Sequence, residues 1–259
     1  MATPRTIDVS QVVDGQALSW FQIRIITLCA FVAMLDGFDT QSIAFVASLI
    51  APQLGMKIAE FGPIFGSGLV GLTIGALAIA PWADRWGRKP IILLSTFAFG
   101  VFALLTVRSD SFTSLVVYRL LTGLGLGAAM PNIIALTSEY SPSRSRAMLV
   151  TTMFVGFPFG AVVGGMISSM MIPLWGWPSV FYFGGLLPIA LTVILVLYLP
   201  ESIRFMVTHG ADSERIGATL RRIAPNLAYS AEDRFVIGEA EVKGFPVRRL
   251  FTDGRAFGT

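Results

Sequence analysis

The sequence predicts an all-α membrane protein that crosses the bilayer six times, and three observations carry that expectation. Apolar side chains make up 54% of the chain and charged ones 14%, whereas a water-solvated domain carries about a quarter charged residues. The charges are also unevenly placed: long stretches hold almost none, and Lys, Arg, Asp and Glu gather between them and after Pro200. Each apolar stretch is rich in glycine, which membrane bundles tolerate because small residues let helix backbones approach closely.

A span needs about 20 apolar residues to cross roughly 30 Å of hydrocarbon. Six stretches qualify, near 25–50, 61–83, 90–107, 112–137, 147–171 and 179–199. They divide the chain into an N-terminal segment over 1–24, a six-helix bundle over 25–199 and a polar linker over 200–259. Short connectors predict that consecutive helices run antiparallel as neighbours. The first hydrophobic run is too long for a signal peptide and lacks a small-residue cleavage site. Basic residues set the orientation. Arg85, Arg88 and Lys89 follow the second span and Arg144 and Arg146 the fourth, while the opposite loops offer only Lys57 and Arg108. Positive charge stays on the cytoplasmic side, so both termini are expected there.

After Leu199 the character changes. Residues 211–223 read as an amphipathic surface helix, with Ile216, Leu220 and Ile223 at helical spacing and Arg215, Arg221 and Arg222 facing water or lipid headgroups. His209 is expected to be a solvated loop residue. The net charge of +3 is too small and scattered for nucleic acid, and the lone Cys29 leaves no disulfide framework or metal site. No nucleophile, metal cluster or cofactor loop occurs in a plausible setting, so neither an enzyme nor a cofactor is expected. Gly123, Gly125 and Gly127 alternate with leucines mid-span with no preceding strand, so they fail the context test for a phosphate-binding loop.

Charges inside the membrane are the sharpest signal. Asp36 and Asp39 lie in the first span at i and i+3, on one helix face. Arg119 lies in the fourth. Such a group costs about 2.5–3.5 kcal/mol on insertion scales and should face the bundle interior with a partner. At about 1.5 Å rise per residue, Asp36 and Asp39 sit roughly 17 and 21 Å from the cytoplasmic end and Arg119 about 20 Å from it. Arg119 is therefore expected to reach one or both carboxylates. Two carboxylates against one Arg leave one poorly compensated, which suits proton binding.

Outside the membrane, Asp84-Arg85-Trp86-Gly87-Arg88-Lys89 follows the second span. A turn that tight needs glycine, and charges at helix ends can form ion pairs that break in a second conformation. Glu139 and Arg146 bracket the end of the fourth span, and Pro200-Glu201-Ser202 with Arg204 follows the sixth. Asp84, Arg85, Arg88, Glu139, Arg146 and Glu201 are expected to form a cytoplasmic gate network, with Asp84, Arg88, Glu139 and Arg146 paired. Gly71 with Gly75 and Gly160 with Gly164 form small-xxx-small patterns that pack helices, and Phe157-Pro158-Phe159 offers a kink. The phenylalanines at 97, 99, 102, 154, 181 and 183 are expected to face lipid or core rather than to form an aromatic substrate box.

The loop after the second span resembles the motif of the major facilitator superfamily, departing from it at Ala80, where a glycine is usual. Glu139, Arg146, Glu201 and Arg204 resemble the charge signatures of its sugar-porter-like branch. Asp36-Gly37-Phe38-Asp39-Thr40, continuing into Ile43-Ala44-Phe45, resembles the first helix of the aromatic acid:proton symporter family, departing at Ser48, and Arg119 with Gly123, Gly125, Gly127, Pro131 and Asn132 resembles its fourth. The resemblance implies the N-terminal half of a fold built from two three-helix inverted repeats. It implies proton-coupled uptake of aromatic carboxylates such as 4-hydroxybenzoate across a bacterial inner membrane. Asp36 and Asp39 would serve transport and proton coupling, Arg119 would be a relay or a substrate-charge partner, and Gly37, Gly87, Gly123 and Gly127 would be conformational glycines. The chain stops where a seventh helix is expected, near Arg248-Arg249-Leu250-Phe251, which suggests a piece of a longer or split transporter that pairs with a C-terminal half or a second copy. Alternatives are a transporter of another organic anion or a sugar, or a half-transporter inactive alone.

Overall fold

The computed structural model describes residues 5–238 except 228 and 231; the stretch where a seventh helix is expected lies outside them. Short β1 (Thr6–Asp8) and α1 (Val9–Gly15) lead into the first span, α2 (Trp20–Gln53). The second span is α3 (Phe61–Ile74), continued through a π turn over Gly75–Ile79 and a 3-10 turn over Ala80–Trp82 into α4 (Ala83–Trp86). Then follow α5 (Arg88–Thr106), α6 (Phe112–Glu139), α7 (Arg146–Trp175) and α8 (Pro178–Tyr198). Among the described residues these make six helices long and apolar enough to cross a membrane. Beyond them lie α9 (Ile203–Thr208), α10 (Ser213–Ile223) and β2 (Arg234–Val236).

Local chemistry sets the helix starts. Ser19 and Gln22 form a reciprocal capping box at the start of α2, satisfying backbone donors that the helix itself leaves free. Ser111 and Ser114 do the same for α6. Gly87 separates α4 from α5 at φ +97°, a left-handed conformation that side chains rarely adopt.

Of the consecutive spans, α5 and α6 are main partners, and the other principal pairs are not consecutive. The most extensive contacts join α2 to α7, α3 to α6, α5 to α6 and α5 to α8. Short connectors fix direction, but glycine faces decide neighbours. A Cβ on Gly37 would fall on the Phe157 carbonyl oxygen, and one on Gly160 would fall on that of Met34, so α2 and α7 meet backbone to backbone. Gly123 and Gly127 meet the carbonyls of Gly68 and Leu72 in the same way, closing α3 onto α6. The exterior stays apolar, with Leu69, Ile74, Val162, Met166 and Met170 exposed, as a bundle in hydrocarbon requires.

The segments before and after the bundle gather at one end. β1 pairs in parallel with β2, and α10 buries Ile216, Leu220 and Ile223 against α1, α2 and β2. The apolar face of α10 therefore covers protein rather than bilayer, while Arg215 and Arg221 remain exposed. Arg222 stacks 5.5 Å over the Phe21 ring. The strand pairing was not legible in the sequence, because three-residue strands carry no periodicity. His209 is exposed and stacks on Phe205 at 4.1 Å.

Gly160→Leu should lower the stability of the detergent-solubilised protein by about 1–3 kcal/mol or more, because α2 and α7 must separate. Gly66→Ala, with nothing within 4 Å of the new methyl, should leave it unchanged. Thermal unfolding of both variants checks the contrast.

Candidate functional site: buried charges and a charged end

The three intramembrane charges are all buried. Arg119 Nη1 lies 3.3 Å from Asp39 Oδ2, and the same nitrogen donates to Ser42 Oγ at 3.4 Å. Ser42 in turn donates to the Asp39 carbonyl at 2.7 Å, which orients its oxygen to accept. Arg119 Nη2 donates to Thr106 Oγ1 at 3.0 Å, and the Phe181 ring stacks 5.1 Å from the guanidinium carbon. The guanidinium is thus fastened by α2, α5 and α8 at once. Sequence reading missed Thr106 and Phe181, which no local pattern marks; Ser42 was findable as the polar residue one turn beyond Asp39.

Arg119 satisfies one carboxylate, not both. Asp36 accepts a 3.3 Å hydrogen bond from Thr40 and makes no ion pair among the described residues. It lines a cavity of about 530 Å³ with Ala76, Met130, Pro131, Phe154 and Phe157. A smaller cavity, about 220 Å³, lies beside Asp39 and Arg119 with Gln41 and Phe65 on its wall. Leu72 borders both. Phe181 is a core residue as expected and also covers the buried cation, while Phe154, half-exposed, also borders the cavity of Asp36.

At the end where β1, α1 and α10 gather, Arg88 Nε bonds Glu139 Oε1 at 2.7 Å, and Ser202 Oγ donates to the other Glu139 oxygen. Glu201 accepts from the backbone N–H groups of Arg88 and Lys89 at 2.8 and 3.1 Å. A carboxylate here meets the free donors and the positive end of the α5 dipole. A Cβ on Gly87 would fall on that carboxylate and displace it, while the positive φ itself favours glycine. Tyr140, fully buried, donates to the Glu201 carbonyl at 2.6 Å and accepts from Gln22 at 2.7 Å, tying α2, α6 and the segment after α8 together.

The expected four-charge network is not present. Asp84 and Arg85 are exposed, and neither Asp84 nor Arg146 forms an ion pair among the described residues. The Gly87 turn breaks helical register, so Asp84 and Arg88 line one cavity of about 130 Å³ without bonding. Arg146 opens α7 beside Glu139, but its Nε has no hydrogen-bond partner. No group of His, Cys, Asp and Glu able to hold a metal occurs among the described residues.

The site is thus a glycine-packed bundle of membrane-spanning helices with a buried ion pair, a second buried carboxylate outside that pair and a charged end. A family model described as the Major Facilitator Superfamily matches residues 29–246, and the chain belongs to that superfamily. It is 44% identical over 219 residues to a 4-hydroxybenzoate transporter of Pseudomonas aeruginosa, covering 85% of this chain and 49% of the relative. It is 40% identical over 254 residues to a gallate transporter of Pseudomonas putida, covering 98% of this chain and 56% of that one. An inward-open xylose transporter from E. coli shares the fold at a TM-score of 0.67 and 20% identity, covering 79% of this chain and 53% of its own. The chain spans about half the length of the curated relatives it matches.

Replacing one member of the buried pair strands the other. Asp39→Asn or Arg119→Met alone should each destabilise the bundle by about 3–5 kcal/mol, and the double variant should recover much of the loss. Unfolding midpoints of the singles and the double test this.

Proposed function

We propose that the chain is the N-terminal half of a proton-coupled importer of aromatic carboxylates in a bacterial inner membrane, with both termini cytoplasmic. The observation that carries the reading is Asp36, a buried carboxylate with a single hydroxyl donor beside an aromatic-walled cavity, one turn from a carboxylate already paired to Arg119. A carboxylate without a counter-ion in a low-dielectric interior favours a bound proton as its partner. The named activities of the relatives, 4-hydroxybenzoate and gallate transport, support the substrate class. The loop charges support the orientation, since basic residues concentrate at one end of the bundle.

In this reading a second six-helix half closes the cavity from the opposite side, and rocking of the halves exposes it alternately. The Arg88–Glu139 pair and the seat of Glu201 on α5 hold one conformation and break in the other. Such contacts need supply only a few kcal/mol to bias a two-state equilibrium. Arg119 keeps the α2–α6 junction rigid while Asp36 exchanges its proton.

Proteoliposomes holding the chain, alone and with a C-terminal half, should accumulate radiolabelled 4-hydroxybenzoate under an inward proton gradient. Benzoate-type acids should compete and hexoses should not. Asp36→Asn should lose gradient-driven accumulation by an order of magnitude or more while still exchanging labelled for unlabelled substrate. Competition by hexoses would move the substrate class, and accumulation by the Asn variant would remove Asp36 from coupling.

A further inference from the structure

We propose that the coupling proton and the substrate carboxylate bind at one place: the aromatic acid enters the cavity walled by Phe154, Phe157, Met130 and Pro131, and its carboxylate hydrogen-bonds the protonated Asp36. This rests on the aromatic-acid reading above and names the site and the manner of coupling.

Three observations carry it. The cavity, at about 530 Å³, is within the range of roughly 300–1,000 Å³ typical of small-molecule sites, and its walls are apolar except for Asp36. Phe154 and Phe157, nearly parallel at 6.1 Å and 17°, both line it and give it an aromatic wall for a ring to pack on. Finally, no cationic side chain lines the cavity among the described residues. Arg119, which could otherwise receive the acid, is held by Asp39, Ser42, Thr106 and Phe181 and borders the other cavity.

The groups around Asp36 leave it to the proton. On α2 itself the charged neighbour that acts on it is Asp39, of like sign. Helix α3 carries no titratable side chain, and α6 brings Tyr118, Arg119 and Glu139, of which Arg119 faces Asp39 and Glu139 faces Arg88. The titratable residue of α7 is Arg146 at its first turn, α8 offers Tyr182 and Tyr198, both half-exposed, and α10 meets α2 at Phe21. An anionic acid cannot enter beside an ionised Asp36 without repulsion in a medium that screens poorly. One proton between the two carboxyl groups removes that repulsion and supplies a strong charge-assisted hydrogen bond. Charge balances: Asp36 carboxylate, proton and substrate carboxylate give a pair of carboxyl groups sharing one negative charge. Substrate without proton, or proton without substrate, leaves the cavity half-satisfied.

The test compares 4-hydroxybenzoate with its neutral amide, 4-hydroxybenzamide, whose N–H can donate to an ionised Asp36. Binding is measured in lipid nanodiscs from about pH 6 upward, where benzoate-type acids are ionised, with the chain alone and with a C-terminal half. The acid should weaken by up to about tenfold per pH unit, as loss of one linked proton requires, while the amide should bind with a flat pH profile. Asp36→Asn should flatten the profile of the acid. The acid–amide comparison uses the unaltered protein, so it stands even where the variant folds poorly. Equal pH dependence of both ligands would mean a remote proton site and overturn the proposal, as would a flat profile for both. Binding of neither ligand in either arrangement would instead overturn the aromatic-acid reading on which it rests.

Discussion

Charge buried where water cannot reach must find a partner, and the interior of this bundle is arranged around that requirement. Arg119 draws together Asp39 and Ser42 on α2, Thr106 at the end of α5 and the Phe181 ring on α8. Four helices are thereby referred to one guanidinium. The fork of donors explains why arginine suits the position, since a lysine ammonium could not address three acceptors in fixed directions while stacking on a ring. The same requirement makes Asp36 conspicuous. Its helix carries two carboxylates on adjoining turns, the bundle supplies one cation, and Asp39 takes it.

Packing gives this chemistry a rigid frame. Glycines let α2 meet α7, and α3 meet α6, at backbone distance, and side chains there would force the helices apart. A pair of helices joined this way moves as a unit. At one end an apolar cluster adjoins a polar junction. The Gly87 turn, the Glu201 carboxylate on the first turn of α5 and the Arg88–Glu139 pair form such a junction. Tyr140 links it to the first turn of α2, the helix that bears Asp36.

Much of this was legible in the sequence, for physical reasons that apply unevenly. The spans announced themselves because hydrocarbon thickness imposes a length and forbids charge. Asp36, Asp39 and Arg119 stood out because each breaks that rule, and helical rise alone placed them in one layer. Which carboxylate wins the arginine was not legible: it depends on Ser42, Thr106 and Phe181, brought in from three helices by packing. Helix neighbours were only partly legible, α5 with α6 as expected but α2 with α7 and α3 with α6 not, because loop length speaks to direction and not to adjacency. At the charged end Arg88 bonds Glu139 and its backbone bonds Glu201, but Asp84 and Arg146 form no ion pair among the described residues; for Asp84 the positive-φ Gly87 resets the helical register before Arg88. The β1–β2 pairing, which joins residues 228 apart in sequence, left no local trace.

In the proposed reading Asp36 carries the proton that accompanies an aromatic acid. The most direct measurement is of proton movement itself, with a pH electrode in lightly buffered medium outside proteoliposomes of the protein joined to its second half. Adding 4-hydroxybenzoate should alkalinise the medium in step with substrate entry, in the unaltered protein and not in Asp36→Asn. Substrate entry without alkalinisation, or alkalinisation that persists in the Asn variant, would exclude Asp36 as the carrier of a coupled proton.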